Sequence, residues 1–136
     1  MNLPDVQRLY SAANATWPAL SVRRHEGWDI RDGNGGGKRA SAATLVQESL
    51  ADIVVAEQAM LDLGQASLFM IRQNDTKLDI ALEALKYKVI NPTTLYACEN
   101  ALLVPKFLPA AESYAIWEPL QVMCSVWAEG GINAER

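Results

Sequence analysis

Between residues 32 and 37 the chain reads Asp-Gly-Asn-Gly-Gly-Gly, so four of its eight glycines fall within six positions. No regular element propagates through such a stretch. Each glycine loses more backbone freedom on ordering than any other residue, and Asp and Asn bond their own backbone in turns. The chain must therefore reverse here. Ahead of the loop, Leu20 and Val22 alternate with polar residues, as do Trp28 and Ile30 after Gly27. Behind it, Lys38 to about Val46 is rich in Ala and Ser and reads as a second extended run. Two such runs around a Gly/Asn/Asp loop predict a β-hairpin.

A glycine loop also invites a phosphate-binding reading, which its spacing tests. A P-loop needs Gly five residues before the Gly-Lys pair and Ser or Thr after the Lys. Here Asp32 precedes Gly37-Lys38 at that distance and Arg39 follows it. The letters Gly35, Gly37 and Ala40 fit a dinucleotide fingerprint, but that fingerprint opens a helix and a strand is expected here. The loop therefore reads as hairpin geometry. Gly36, Gly37, Lys38 and Arg39 remain the candidate contacts to a small anion, with backbone amides and two cations side by side.

The rest of the chain divides by periodicity. Asn2, Pro4 and Asp5 suit a helix start, with Leu3, Val6, Leu9, Tyr10 and Ala13 at helical spacing and Pro18 as the stop. Ser49-Leu50-Ala51-Asp52 is close to a capping box. It opens a helix whose apolar face is Leu50, Ile53, Val54, Met60, Leu61 and Leu63, ended by Gly64. The run Ser67 to Arg72 is continuous and apolar, which predicts a parallel, central strand buried on both faces. Asn74-Asp75 caps a further helix carrying Leu78, Ala81, Leu82 and Leu85, ending near Lys86-Tyr87. Residues 88–90 and 93–97 read as strands interrupted by Asn91-Pro92, and 114–117 as one more. Glu118-Pro119 opens a last helix with Leu120, Met123, Cys124 and Trp127, closed by Gly130-Gly131. Asn133-Ala134-Glu135-Arg136 reads as the start of a further helix or a frayed tail. The expected organisation is one α+β domain over residues 1–131, with 132–136 beginning a further segment.

Charge and composition exclude several functions. Twelve Lys and Arg stand against 16 Asp and Glu, and the pI is near 4.9, so the dense basic face that nucleic acid requires is missing and no nucleic-acid partner is expected. The basic excess lies in residues 1–46, where Arg8, Arg23, Arg24, Arg31, Lys38 and Arg39 outnumber the acids. Its concentration around residues 23–39 reads either as a solvated hairpin edge or as an attractor for a small anion or phosphate. No apolar run reaches a membrane span and no secretory leader is visible, so a cytoplasmic chain with no membrane partner is expected. Cys98, Cys124 and a single His25 are too few for a zinc site, and no metal is expected. Both thiols read as buried. His25 stands alone, so neither a Ser-His-Asp nor a Cys-His pair can be built. Asp75, Asp79 and Glu83 form one helical stripe, read as a solvated face. Trp17, Trp28, Trp117 and Trp127 are too dispersed for a ligand cage and read as packing residues.

The order helix, hairpin, helix, buried strand, helix, strand carries a resemblance. Ala51 to Ala97 resembles the second half of a GNAT-type N-acetyltransferase. Ala81-Leu82-Glu83-Ala84-Leu85-Lys86-Tyr87 is similar to that family's Leu-Tyr-Glu-Lys-Leu-Gly-Phe signature, and Thr94-Leu95-Tyr96 to its final strand. Gly27–Thr44, Gly64–Arg72 and Trp127–Ile132 resemble the N-terminal region of bacterial two-part GNAT proteins. The implied fold is an acyl-CoA N-acyltransferase-like mixed sheet flanked by helices. The implied activity moves an acetyl group from acetyl-CoA to a small-molecule or peptide amine. In the family, an Arg/Gln-x-x-Gly-x-Gly/Ala loop binds the pyrophosphate, a splayed strand polarises the thioester carbonyl, and a Tyr often protonates the thiolate.

This chain departs from the family at those positions. Val46-Gln47-Glu48-Ser49-Leu50-Ala51-Asp52 has no glycine; Leu50 stands at the glycine position, and Glu48 and Asp52 would repel phosphate. The signature's Tyr aligns with Leu82 and its Gly with Lys86, leaving Tyr87 and Tyr96 as the available hydroxyls. The resemblance thus implies a non-catalytic N-terminal half that shapes the acceptor site. It would not bind acetyl-CoA alone, and its partner would be a C-terminal catalytic GNAT domain or a second copy of the chain. Two alternatives stand beside it: a minimal acetyltransferase using the Gly35–Arg39 loop, and a structural or interaction module with no role in acetyl transfer.

Overall fold

A computed structural model of the protein describes residues 4–98 and 118–129. Helix α1, Val6–Thr16, begins where the Asp5 carboxylate accepts the Arg8 amide at 2.9 Å. Asp5 rather than Asn2 is thus the cap; Asn2 lies outside the described residues. Strands β1, Ser21–His25, and β2, Trp28–Asp32, pair antiparallel through the two-residue turn Glu26-Gly27. Both turn residues have positive φ, 40° and 84°, the backbone that matches the strands' right-handed twist. The tight hairpin therefore lies one strand earlier than the glycine loop.

The glycine loop is a wider connection. Gly33 is buried and packed so closely that a Cβ there would lie 1.9 Å from Ser41 Oγ. Its amide donates to Gln65 Oε1 at 2.7 Å, while Gln65 Nε2 donates to the Arg31 carbonyl at 2.9 Å. The expected strand from Lys38 to Val46 is instead a short helix α2, Lys38–Ser41, followed by β3, Ala43–Leu45. Alanine is the best helix former, and one helical turn lets Ala40 and Ser41 bury against the sheet. The fingerprint Gly35, Gly37, Ala40 thus does precede a helix. Yet β2 and β3 are antiparallel, so the parallel crossover of a dinucleotide fold is absent from this pair.

Beyond a 3-10 turn at Glu48–Leu50, helix α3, Ile53–Asp62, carries the chain to β4, Phe69–Met70, which pairs parallel with β3. Helix α4, Thr76–Ala84, follows, and α5 spans Gln121–Glu129. The sheet order is β1-β2-β3-β4. The parallel pairing of the apolar run holds; its central position does not. Among the described residues β4 is an edge strand, only two residues long and half-buried. Residues 88–97 form neither strand nor helix and are exposed. Pro92 cannot donate to a ladder, and among the described residues nothing covers Val89 or Tyr96.

Register sorts the side chains. Trp28, Ile30, Ala43 and Leu45 share one face and pack on Ala56 and Met60 of α3 and Leu78 and Leu82 of α4. Trp28 is 0 % exposed, donates from Nε1 to the Asp52 carbonyl at 2.9 Å, and meets Phe69 edge-on at 5.3 Å. Val54 and Leu61, expected on the buried side of α3, are exposed, as is Leu85 of α4. Asp29, Arg31 and Thr44 point to the opposite face, which α1 covers: Arg31 donates to Asn14 Oδ1 and to the Trp17 carbonyl, each at 2.8 Å. The mixed α+β class holds.

Two helices end alike. Past α3, the Gln65 amide bonds the Met60 carbonyl and the Gly64 amide that of Leu61, with Gly64 at φ 69°. Past α4, Tyr87 bonds Leu82 and Lys86 bonds Glu83, with Lys86 at φ 70°. Both are Schellman ends, but the second places a lysine where glycine is favoured. Lys86→Gly should raise unfolding stability by up to about 1 kcal/mol in urea denaturation, since a side chain in the left-handed region costs ~1–2 kcal/mol and glycine's extra unfolded-state entropy offsets part of the gain. An unchanged or lowered midpoint would show that the α4 end is unstrained.

Candidate functional site

Two openings flank Arg72. The first, a cavity of about 390 Å³, lies at the carboxyl ends of the parallel pair β3–β4, lined among others by Val46, Glu48, Arg72, Asp75 and Lys77. This is where open α/β sheets place their ligands. The strand ladder stops at Thr44–Met70, and the Arg72 guanidinium spans the opening beyond it, donating to the Leu45 carbonyl. The same guanidinium and the Arg72 amide hold the Asp75 carboxylate, with Nε–Oδ2 and N–Oδ2 both at 3.0 Å. Asp75 is thus buried in an ion pair, not part of a solvated stripe; Asp79 and Glu83 are exposed as expected. On the other side Arg72 lies 6.0 Å from the Tyr10 ring centroid, a cation–π contact at the outer limit.

The turn entering α3 is filled by its own acids. The Asp52 carboxylate accepts the Val54 amide at 2.9 Å and caps the helix. Glu48 pairs with Lys77 at 3.0 Å. The capping residue is therefore Asp52 and not Ser49, one turn later than the capping-box pattern placed it. A helix N-terminus attracts anions because its first amides lack partners; here a carboxylate of the chain already occupies it.

The second opening, a cleft of about 540 Å³, lies between α1 and the outer face of the sheet. Register sets Arg24, Asp29, Thr44 and Met70 in one row across all four strands, with Val22 and Arg31 in the next. Arg24 grips Asp29 through Nε at 2.5 Å and Nη2 at 3.2 Å. That hydrogen bond and charge push the Arg24 pKa further up. Arg31 is 4 % exposed and Thr44 8 %. Thr44 Oγ1 is buried without a hydrogen-bond partner.

The glycine-loop candidates do not converge on a pocket. The Gly36 amide is spent on the Gly33 carbonyl, the Gly36 and Gly37 carbonyls face Ser41 Oγ, and Lys38 and Arg39 are exposed on a four-residue helix. Tyr87 packs edge-on to Phe69 at 5.4 Å, and its hydroxyl donates to Glu57. Tyr96 is 90 % exposed. Cys98 and Cys124 are exposed rather than buried. His25 is exposed on β1; Trp28 is core, Trp127 is partly exposed, and Trp117 lies outside the described residues, as does the Gly130-Gly131 helix stop. Among the described residues no group of three or more His, Cys, Asp or Glu could hold a metal. No helix among them is long and apolar enough to cross a membrane.

The sequence pattern singles out the glycine loop and the basic excess around residues 23–39, which includes Arg24 and Arg31, but gives no sign of Arg72 or Thr44. Alternation was the available signal. Once Trp28 and Ile30 face the core, Asp29 and Arg31 must share the other face with whatever pairs beside them. Compared with known proteins, the chain matches no family model, no curated protein and no solved structure.

Burial and the bond to Glu57 push the Tyr87 phenol up to about 12. In the unfolded chain it ionises near 10. The fold thus favours the protonated phenol, and the stability this contributes is full below about pH 10 and lost as pH rises through about 12. In alkaline unfolding experiments Tyr87→Phe should flatten the loss of stability across that window. Parallel curves for the variant and the parent would remove the Glu57 bond from the account.

Proposed function

We propose that this chain is a non-catalytic half of a GNAT-type N-acetyltransferase, packing against a catalytic half and helping to shape the site of the acceptor amine. The observation that carries the reading is the occupied N-terminus of α3. A helix, a strand parallel to its neighbour and a second helix follow one another over residues 53–84, the order the resemblance implies for that stretch, while the final strand it implies at 94–96 is not formed. In such a layout a coenzyme pyrophosphate would lie at the turn before α3. There, Asp52 caps the helix amides and Glu48 adds a second carboxylate. The thioester would enter the gap beyond the β3–β4 ladder, where Arg72 already holds the Leu45 carbonyl. Acetyl-CoA is then the co-substrate of the partner, a C-terminal catalytic domain or a second copy, and this chain contributes surface and not chemistry.

The exposed apolar residues of α5, Val122, Val126 and Trp127, favour a second reading, an interaction module with no part in acetyl transfer. Calorimetry separates the possibilities. Acetyl-CoA titrated into the 136-residue chain should give no saturable heat, and Leu50→Gly alone should not create affinity, because both acids remain. Micromolar binding by either chain would reject the non-catalytic half. Acetyl transfer that requires this chain beside a catalytic GNAT domain would separate the first reading from the interaction module.

A further inference from the structure

We propose that the cleft between α1 and the outer face of the sheet binds a small oxyanion, a carboxylate or a phosphate, through the Thr44 hydroxyl and the Arg24 guanidinium. The inference does not depend on the acetyltransferase reading, and the turn before α3 plays no part in it.

Three observations converge. The first is the cleft itself, whose volume of about 540 Å³ falls within the range of small-molecule sites, roughly 300–1,000 Å³. The second is its charge: Arg24, Arg31 and Arg72 stand against the carboxylates of Asp29 in the lining and of Asp75 behind Arg72, a local excess of positive charge in a chain whose net charge is -4. A concave surface with low-dielectric walls concentrates such a local positive field. The third is Thr44. The residue lines the cleft and is more than nine-tenths buried, and its hydroxyl lies just beneath the surface with no hydrogen-bond partner. A buried hydroxyl left unbonded is unfavourable, and a ligand atom in the cleft would satisfy it.

The row across the strands gives the ligand its contacts. Thr44 stands beside Asp29, which stands beside Arg24. Asp29 takes two of the guanidinium's N–H donors, through Nε and Nη2, so three of the five remain. A planar, forked donor and a hydroxyl in one row, one on either side of Asp29, suit an oxyanion better than an ammonium, which a guanidinium repels. Arg31 is held by Asn14 and Trp17 and supplies charge from the next row rather than a mobile arm. Arg24 is the exposed member, with a 64 % exposed side chain, and can turn toward an incoming anion.

The test is a nuclear magnetic resonance titration of the 15N-labelled full chain. Sodium acetate and sodium phosphate are added separately, against sodium chloride at matched ionic strength. The expected result is a saturable shift of the Thr44 and Asp29 amides and the Arg24 Nε–H, with the tighter-binding probe naming the ligand class. Thr44→Val should weaken that binding roughly tenfold while leaving the melting temperature unchanged or raised, because it removes a polar atom that has no partner. Arg24→Gln should weaken it too, in a fold shown intact by its amide spectrum. Shifts that do not saturate, shifts centred on Lys38 and Arg39, an equal response to methylammonium chloride, or undiminished binding in Thr44→Val would each overturn the proposal.

Discussion

The indole of Trp28 is the contact on which the other elements converge. It stands in β2, pairs with Leu45 of β3, and touches Phe69 of β4 edge-on. Its single N–H reaches the carbonyl of Asp52, the residue that caps α3. One side chain thus sets the spacing of three strands and the point at which the crossover helix begins. A buried indole needs that bond, because the unpaired N–H would be unfavourable in an apolar core. The carbonyl and carboxylate of Asp52 fix one end of the turn from Val46 to Asp52, and the Val46 and Gln47 amides, both donating to the Gly27 carbonyl, fix the other. The character of the candidate coenzyme position follows from that packing choice as much as from the charges.

The sheet separates two environments. Its inner face is Trp, Ile, Ala and Leu against α3 and α4, and its outer face is Arg, Asp and Thr against α1. Arg72 lies where they meet, joining the end of β3, the start of α4 and the ring of Tyr10. Its partner Asp75 is buried, and its Nε and Nη2 are engaged on the β3–β4 side. Truncating either would leave the other charge unmatched in a half-buried setting, so this pair acts as a structural clasp between the two openings.

Much of this was legible in the residues. Gly64 marked its helix end because a left-handed residue after the last turn is nearly always glycine. The reversal at Asp32–Gly37 and the parallel pairing of the Ser67–Arg72 run were also readable. The equivalent end at Lys86 carried no such mark, since lysine there runs against preference and only the bonds to Leu82 and Glu83 reveal it. Helix α2 was hidden because four residues of Lys, Arg, Ala and Ser hold too little periodicity to separate a turn of helix from a strand. The cleft was hidden for another reason. Arg31 looks like a surface charge until the register with Val22 and the reach of α1 are known, and neither is a local property of the sequence. Exposed Val54 and Leu61 show the opposite limit: an apolar residue at the right spacing need not find a neighbour.

The carboxylate of Asp52 has a consequence for any phosphate that approaches α3. A group joined to the very turn it neutralises is a rival that dilution cannot remove and that no supply of free ligand outnumbers cheaply, since its effective concentration is set by the tether. Evolution of nucleotide affinity at this helix would have to begin by deleting that internal competitor, and only then by opening room with glycine.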